Sequence, residues 1–163
     1  MDFRRDILPL KNVLFRTALR ITQNREEAED AVQDTLLRLW ERRDELLSIR
    51  NIEAFAITAM RNLLLDRMAL AHNRDVSLDE ELHDRQDTNQ PTAHDILVHD
   101  ESIGYIQRII DQLPEKQRTA LQLRDIEGMS YREIAEIMAT TESDVKISIY
   151  RGRTYLKQHC RHL

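Results

Sequence analysis

Apolar residues recur every three or four positions through most of the chain, which is the spacing of an amphipathic α-helix. Before residue 73 this pattern predicts three helices, at residues 5–21, 24–47 and 52–71. Pro9 is expected to delay the regular start of the first. After residue 91 the pattern predicts four more helices, which start at Thr92, Glu115, Ser130 and Thr141. Residues 73–91 are polar and acidic and carry no apolar stripe, so a flexible linker is predicted there.

Four of the predicted helix starts carry a capping signal, in which a side-chain oxygen stands three residues before an acidic residue. The capping residues are Asn24, Thr92, Ser130 and Thr141. Gly128 is predicted to end the preceding helix, because glycine readily adopts the left-handed backbone of a helix C-terminus. A short helix after Ser130, a turn at residues 139–141 and a longer helix to Cys160 together predict a helix-turn-helix.

The composition favours an all-α protein, since three glycines and three prolines are few for the hairpin turns of a β-sheet protein. The predicted architecture consists of two small helical domains. Residues 1–72 form an N-terminal three-helix bundle, and residues 92–163 form a C-terminal four-helix domain that ends in the helix-turn-helix. The acidic flexible linker of residues 73–91 joins the two domains.

The charge of the chain is distributed unevenly. A net charge of −5 would disfavour nucleic-acid binding if it were spread over the whole molecule. Residues 73–102, however, carry nine acidic residues against two arginines, so the acidity is concentrated in and beside the predicted linker. Both predicted domains are therefore able to present local basic surfaces.

Several classes of protein are excluded by what the sequence lacks. The single Cys160 rules out an internal disulfide framework, and neither it nor the histidines have the spacing of a metal site. No apolar run approaches the ~20 residues of a membrane span, and the N-terminus lacks a signal-peptide core. No nucleophile–base motif and no glycine-rich phosphate loop are present. We expect a cytoplasmic protein without membrane insertion, cofactor, metal or catalytic activity.

The last predicted helix carries a basic ridge opposite its apolar stripe of Val145, Ile149 and Leu156. The ridge comprises Ser143, Lys146, Tyr150, Arg151, Arg153 and Lys157. A helix with such a face fits the major groove of DNA. The same pattern also fits a solvated face whose basic residues complement the helix dipole, so the ridge alone leaves both interpretations open.

Two earlier helices also present distinct faces. The second predicted helix carries Asp30, Gln33 and Asp34 on an acidic face, which by itself fits dipole complementarity and solubility. The third has a broad apolar face that includes Phe55 and is expected to be buried. Its remaining side carries Arg61, Asn62 and Arg67.

Two blocks of the sequence resemble a known family, the extracytoplasmic-function (ECF) sigma factors of bacterial RNA polymerase. In the first block, NREEAEDAVQDTLLRLW resembles the family's signature for docking on core polymerase, and RNLLLDR resembles its promoter-melting helix. In the second, LPEKQRTALQLRDIEGMSYREIAEIMATTESDVKISIYRGRTYLKQ resembles its reader of the −35 promoter element. Both blocks occur in the family's order and at its chain length.

The resemblance implies roles for three groups of residues. Core RNA polymerase would be bound by Asp30, Gln33 and Asp34. The −10 element of promoter DNA would be melted, with one base flipped out of the duplex, by Ser48, Ile49, Arg50, Asn51, Arg61, Asn62 and Arg67. In the −35 element, Lys146, Tyr150 and Arg151 would face the major groove, and Arg124 and Ser143 would contact phosphates or base edges.

The resemblance also implies an anti-sigma factor that holds the protein inactive. Two alternatives remain open: a regulator that binds duplex DNA without engaging polymerase, and an interaction protein that sequesters an anti-sigma factor without initiating transcription. Five residues depart from the family pattern in the last block. Asp144 stands where a small polar residue is common, and Ile147 and Ser148 stand where serine and a basic residue are frequent. Ala139 replaces the usual turn glycine, and Gly152 replaces a common alanine in mid-helix at a cost of ~1 kcal/mol unless packing requires it.

Overall fold

The computed structural model describes residues 2–78 and 101–160, which within these ranges form helices and turns but no strand. The predicted all-α fold is therefore confirmed. A π-helical turn (Phe3–Ile7) and a 3-10 turn (Leu8–Leu10) begin the chain, and a second π-helical turn (Gln122–Ile126) follows the sixth helix. The α-helices are α1 (Lys11–Thr22), α2 (Arg25–Glu41), α3 (Arg43–Leu46), α4 (Ile52–Leu78), α5 (Glu101–Asp111), α6 (Glu115–Leu121), α7 (Tyr131–Ile137) and α8 (Glu142–His159).

Helices α1, α2 and α4 pack against one another and enclose the N-terminal core. Pro9 lies in the 3-10 turn that precedes α1, so the expected delay of the first helix is confirmed. Asn24 caps α2 as predicted, because its side chain accepts a hydrogen bond from the backbone N–H of Glu27 at 3.1 Å. The second predicted helix is divided at Arg42 into α2 and the short α3.

The start of the predicted linker is wrong by six residues. Helix α4 continues through residues 73–78, where the sequence has no apolar stripe. The physical reason is that neither glycine nor proline interrupts this segment, so the helix continues past the predicted boundary. The rest of the predicted linker and the predicted cap at Thr92 lie outside the described residues. The helix predicted to start at Thr92 corresponds to α5, which the structure describes from Glu101 onward.

The C-terminal half contains the four helices predicted for it, within residues 101–160. Helices α5, α6 and α7 all contact α8, which lies at the centre of this half. Gly152 of α8 is required by packing, since a Cβ atom there would lie 2.7 Å from Cδ1 of Leu121 in α6. Gly128 has a φ of +72° and follows the π-helical turn, which agrees with its predicted role as a helix terminator.

The two halves pack directly against each other, which the sequence analysis did not predict. Helix α1 contacts α6, and α4 contacts α7. At the centre of this interface Arg118 of α6 is only 7% exposed. Its guanidinium donates hydrogen bonds to three backbone carbonyls, which belong to Arg20 (2.6 Å), Ile21 (2.9 Å) and Leu113 (2.7 Å). Burial lowers the pKa of Arg118.

Two of these three carbonyls lie in the last turn of α1, where helix geometry leaves carbonyl groups without a partner inside the helix. A cation at this end of a helix is also favoured by the helix dipole. Arg118 therefore caps a helix of the N-terminal half from the C-terminal half. None of the helices in the described ranges is both long enough and apolar enough to span a membrane.

Candidate nucleic-acid interface

The helix-turn-helix is formed by α7, the turn at residues 138–141 and α8. Both predicted caps are present: Ser130 Oγ accepts from the N–H of Glu133, and Thr141 Oγ1 accepts from the N–H of Asp144, each at 3.1 Å. Ala139 adopts a left-handed φ of +52°, the conformation that the usual glycine would adopt more easily. The turn therefore holds a non-glycine residue in the left-handed region, at some cost in backbone strain.

The outer face of α8 presents the predicted basic ridge to solvent. Its apolar stripe is oriented as predicted, because Val145 and Ile149 are buried against the rest of the C-terminal half. The side chain of Tyr150 is 71% exposed in the middle of the ridge. All six predicted ridge residues are exposed, namely Ser143, Lys146, Tyr150, Arg151, Arg153 and Lys157.

Arg124 is joined to this ridge through Tyr131, the first residue of α7. The Arg124 guanidinium lies 4.3 Å from the centre of the Tyr131 ring, and Lys146 Nζ lies 5.4 Å from it. Arg124 also donates to the backbone carbonyl of Met129 at 2.8 Å. The structure thus places two cations predicted to contact DNA on one aromatic ring, which holds them in position.

Within the described part of the chain, Arg153 differs from the other cations of the ridge because it forms an ion pair with an acidic residue of the same chain. It forms two hydrogen bonds with the carboxylate of Asp125, at 2.5 and 3.2 Å. This hydrogen bonding raises the pKa of Arg153. Its charge is therefore partly compensated, and it contributes less to an attraction for DNA than Lys146 or Arg151.

The loop between α3 and α4 contains the four residues predicted to capture a flipped base. Ser48, Arg50 and Asn51 are exposed, whereas Ile49 is half-buried and packs against the core. The side-chain oxygen of Asn51 accepts from the N–H of Ala54 at 3.0 Å and so caps the start of α4. The loop is consequently anchored at both a core residue and a helix cap.

The sequence pattern places Arg61 on the side of α4 away from its apolar face, and the structure shows that this residue is nevertheless buried. Its side chain is only 7% exposed, and its guanidinium forms two hydrogen bonds with the carboxylate of Glu115, at 3.1 and 3.0 Å. The physical reason is that the C-terminal half packs over this part of α4, an interface that helix periodicity cannot reveal. Asn62, the next residue of α4, is exposed as predicted.

Arg67 connects two of the predicted sites. Its guanidinium lies 2.8 Å from Asp30 Oδ2 and also forms an ion pair with Asp34, so a residue assigned to the −10 element pairs with two residues assigned to core polymerase. Hydrogen bonding to Asp34 raises the pKa of Arg67. Gln33, the third residue predicted to contact polymerase, is exposed.

Sequence reasoning missed a groove between α2, α3 and α4. Arg38 and Arg42 line it on one side, and Phe55 and Ala59 line it on the other. Phe55 is 37% exposed and not fully buried as its place in the apolar face suggested. An exposed aromatic ring beside two arginines is typical of surfaces that bind single-stranded nucleic acid. The sequence signal for this groove was Phe55, which lies in the first turn of α4, four residues after the loop of residues 48–51.

Comparison with known proteins agrees with this geometry. Residues 7–73 match the family model for sigma-70 region 2, and residues 103–156 match the model for sigma-70, region 4. The chain is 31% identical over 157 residues to the ECF RNA polymerase sigma factor EcfG of Rhodopseudomonas palustris, an alignment that covers 95% of this chain and 83% of EcfG. The chain belongs to the ECF sigma factors.

A second curated relative of this sigma factor is longer. The chain is 31% identical over 152 residues to the ECF RNA polymerase sigma factor SigE of Mycolicibacterium smegmatis, which covers 90% of this chain and 56% of SigE. Among solved structures, the sigma factor RpoE in complex with the anti-sigma factor NepR from Bartonella quintana has a TM-score of 0.81 and 24% identity. That match covers 99% of this chain and 98% of the other, and it shows a shared fold.

Each of the two family matches contains a different group of the predicted site residues. The region 2 match spans α1 to most of α4 and includes the residues predicted for core polymerase and for the −10 element. The region 4 match spans α5 to most of α8 and includes the predicted −35 residues up to Arg153. Within the described residues, no group of three or more His, Cys, Asp or Glu side chains could hold a metal ion.

Proposed function

We propose that this ECF sigma factor binds core RNA polymerase, directs it to specific promoters and helps to melt their −10 element. The observation that carries the proposal is the pairing of a helix-turn-helix, whose basic ridge is exposed, with a second helical region that matches sigma-70 region 2. A regulator that binds only duplex DNA has no need of that second region. The protein acts in the cytoplasm, where polymerase and promoter DNA are found.

The −35 element is read by the exposed face of α8. Lys146, Tyr150 and Arg151 enter the major groove, where cationic and aromatic side chains reach base edges. Arg124 and Ser143 contact phosphates or base edges, and Lys157 extends the ridge toward the helix C-terminus. Asp144 accepts a hydrogen bond from the hydroxyl of Thr140 at 2.7 Å, which fixes its carboxylate but leaves the negative charge, so DNA phosphates are expected to lie away from it.

The −10 element is opened because the protein binds the flipped base and the separated strand, and this binding offsets the cost of opening the duplex. Extruding a base from the stack costs a few kcal/mol, which the loop of residues 48–51 offsets by holding the flipped base. Asn62, Arg61 and Arg67 contact the separated strand, and Phe55 supplies a ring on which a base can stack. No hydrolysis is involved, and no catalytic residue is required.

Core polymerase docks on the face of α2 that carries Asp30, Gln33 and Asp34. These short acceptors stand on a rigid helix, which suits recognition of a basic partner surface. The variant with all three residues changed to alanine should bind core polymerase at least tenfold more weakly. Asp44→Ala, which removes an exposed acid from the neighbouring α3, is the control and should bind normally. Equal core affinity of the two variants would refute this assignment.

The decisive experiment adds the full chain to core polymerase on a library of promoter fragments and maps the run-off transcripts. Specific start sites that depend on the added chain are expected. If core plus this protein starts no more specifically than core alone, the proposed function is wrong. Binding to an anti-sigma factor without any specific transcription would instead favour the sequestering role.

An anti-sigma factor is the remaining proposed partner. The RpoE protein that shares this fold was crystallised with one, NepR. Both halves of the present chain resemble that bound sigma factor over almost the full length. Co-purification of a partner that abolishes the specific transcription defined above would identify it.

A further inference from the structure

The interface between the two halves holds a residue that the proposed function requires for DNA. Arg61 of α4 is buried there, and both of its outward hydrogen bonds go to the carboxylate of Glu115, the first residue of α6. Glu115 is itself held in place, because Oε1 accepts from the hydroxyl of Thr119 at 2.8 Å. A phosphate of the DNA strand would have to displace this carboxylate to reach the same guanidinium.

Other polar contacts cross the same interface. Arg16 of α1 forms two hydrogen bonds with the carboxylate of Glu127, at 2.7 and 2.9 Å, and Arg20 donates to the side chain of Gln122 at 2.9 Å. Charged and polar groups of this kind are hydrated when two surfaces separate, unlike apolar side chains. Opening also breaks the two hydrogen bonds from Arg118 to the end of α1, and water then has to take the place of the guanidinium on the carbonyls of Arg20 and Ile21. Each half is therefore expected to keep its helices in the open state but to be less stable than in the closed state.

The packed arrangement cannot engage a whole promoter. Helix α4, which carries the −10 residues, directly contacts α7 of the helix-turn-helix. The −10 and −35 elements are roughly 25 base pairs apart, which is about 85 Å along B-form DNA. Two readers in direct contact cannot reach both elements, so the halves must separate before the chain binds the two elements together.

We propose that the Arg61–Glu115 pair is an autoinhibitory latch between the −10 helix and the −35-reading half. In the closed state the carboxylate of Glu115 forms an ion pair with the guanidinium of Arg61. In the open state this pair is broken, and Arg61 is free to bind the promoter strand. This inference rests on the proposed function, in which Arg61 contacts −10 DNA. It assigns Glu115 a regulatory role, because its carboxylate and the DNA phosphates compete for one cation.

The latch is tested first by a distance measurement that needs neither DNA nor polymerase. Spin labels are attached to Cys160, the single cysteine of the chain, and to an introduced cysteine at the exposed position Glu26→Cys. The otherwise unchanged chain should show one predominant distance between the two labels, that of the closed state. Glu115→Gln should raise the ratio of open to closed molecules about tenfold, since a buried charge-assisted pair is lost.

Two further variants make the measurement specific. Glu101→Gln removes the same charge from an exposed position in α5 and should leave the distance unchanged. Arg61→Glu should open the chain, and the swapped variant Arg61→Glu/Glu115→Arg should close it again, because the ion pair is restored in reverse. Circular dichroism checks that every variant keeps its helices. A distance distribution for Glu115→Gln equal to that of the unchanged chain would refute the latch.

Transcription from the promoter library, at a limiting concentration of the chain, tests the link to function. Glu115→Gln should give several-fold more specific transcript than the unchanged chain, whereas the swapped variant should give less, since it lacks the cation at position 61. If Glu115→Gln opens the chain without raising transcription, the latch does not regulate initiation and the proposal fails. If no variant directs specific transcription, the proposed function fails, while the distances still decide whether the latch exists.

Discussion

Replacement of Arg118 by methionine should destabilise both halves of the molecule. The arginine side chain lies between the end of α1 and the end of α5, and its guanidinium donates to three backbone carbonyls across 2.6–2.9 Å. Methionine fills much of the same volume but offers no N–H group. The three carbonyls would therefore be left without their partner in a site from which water is largely excluded.

The size of the effect follows from two opposing contributions. Each buried polar group left unsatisfied costs about 1–3 kcal/mol, so three carbonyls imply a loss of several kcal/mol. Against this, the guanidinium no longer has to be removed from water, a penalty that is visible in the lowered pKa of Arg118. We expect a net loss of about 3 kcal/mol in the free energy of unfolding.

Urea denaturation measures this loss, and two probes locate it. Circular dichroism reports all helices, whereas fluorescence of Trp40, the single tryptophan, reports the N-terminal half. Because Arg118 caps α1 from the other half, the Trp40 transition should move to lower urea together with the circular dichroism signal. With a typical slope of about 1–3 kcal/mol per molar urea, the shift is roughly 1–3 M.

Arg132→Met is the matched control, since its side chain is 81% exposed in α7 and its ion pair with Glu136 is long, at 3.7 Å. This change should alter stability by no more than about 0.5 kcal/mol. If Arg118→Met lies within about 1 kcal/mol of the unchanged protein, or if the Trp40 transition does not move, Arg118 does not cap α1 as described.

Three other substitutions test local features, each by thermal unfolding. Ala139→Gly should stabilise the chain by about 0.5–1 kcal/mol, because glycine adopts the φ of +52° without strain; a loss of stability would contradict the strained turn. Gly152→Ala should destabilise it by about 1–3 kcal/mol through the clash with Leu121, although alanine is the better helix former; a gain would contradict the close packing. Asn24→Ala should cost about 1 kcal/mol through loss of the hydrogen bond to Glu27, and an unchanged midpoint would contradict the cap.

The surface proposed to read the −35 element was largely predictable, because the features that form it depend on residues close together in the sequence. Caps at Ser130 and Thr141 act on N–H groups three residues away, so they can be read directly from the sequence. The ridge of α8 follows from helix periodicity once the apolar stripe is known. The engagement of Arg153 by Asp125 was not predictable, since 28 residues separate the two and only the packing of the C-terminal half brings them together.

The sequence by itself determined where most helices begin, that the chain is all-α and that it resembles ECF sigma factors, because these properties depend on residues within a few positions of each other or on motifs. Only the tertiary structure decided that Arg61 meets Glu115, 54 residues away, and that Arg118 caps a helix of the other half. Helix periodicity tells which face of a helix is apolar, but polar residues are also buried where two helical regions meet. The partner of such a residue is set by the docking of whole helices, so it becomes visible only in the folded chain.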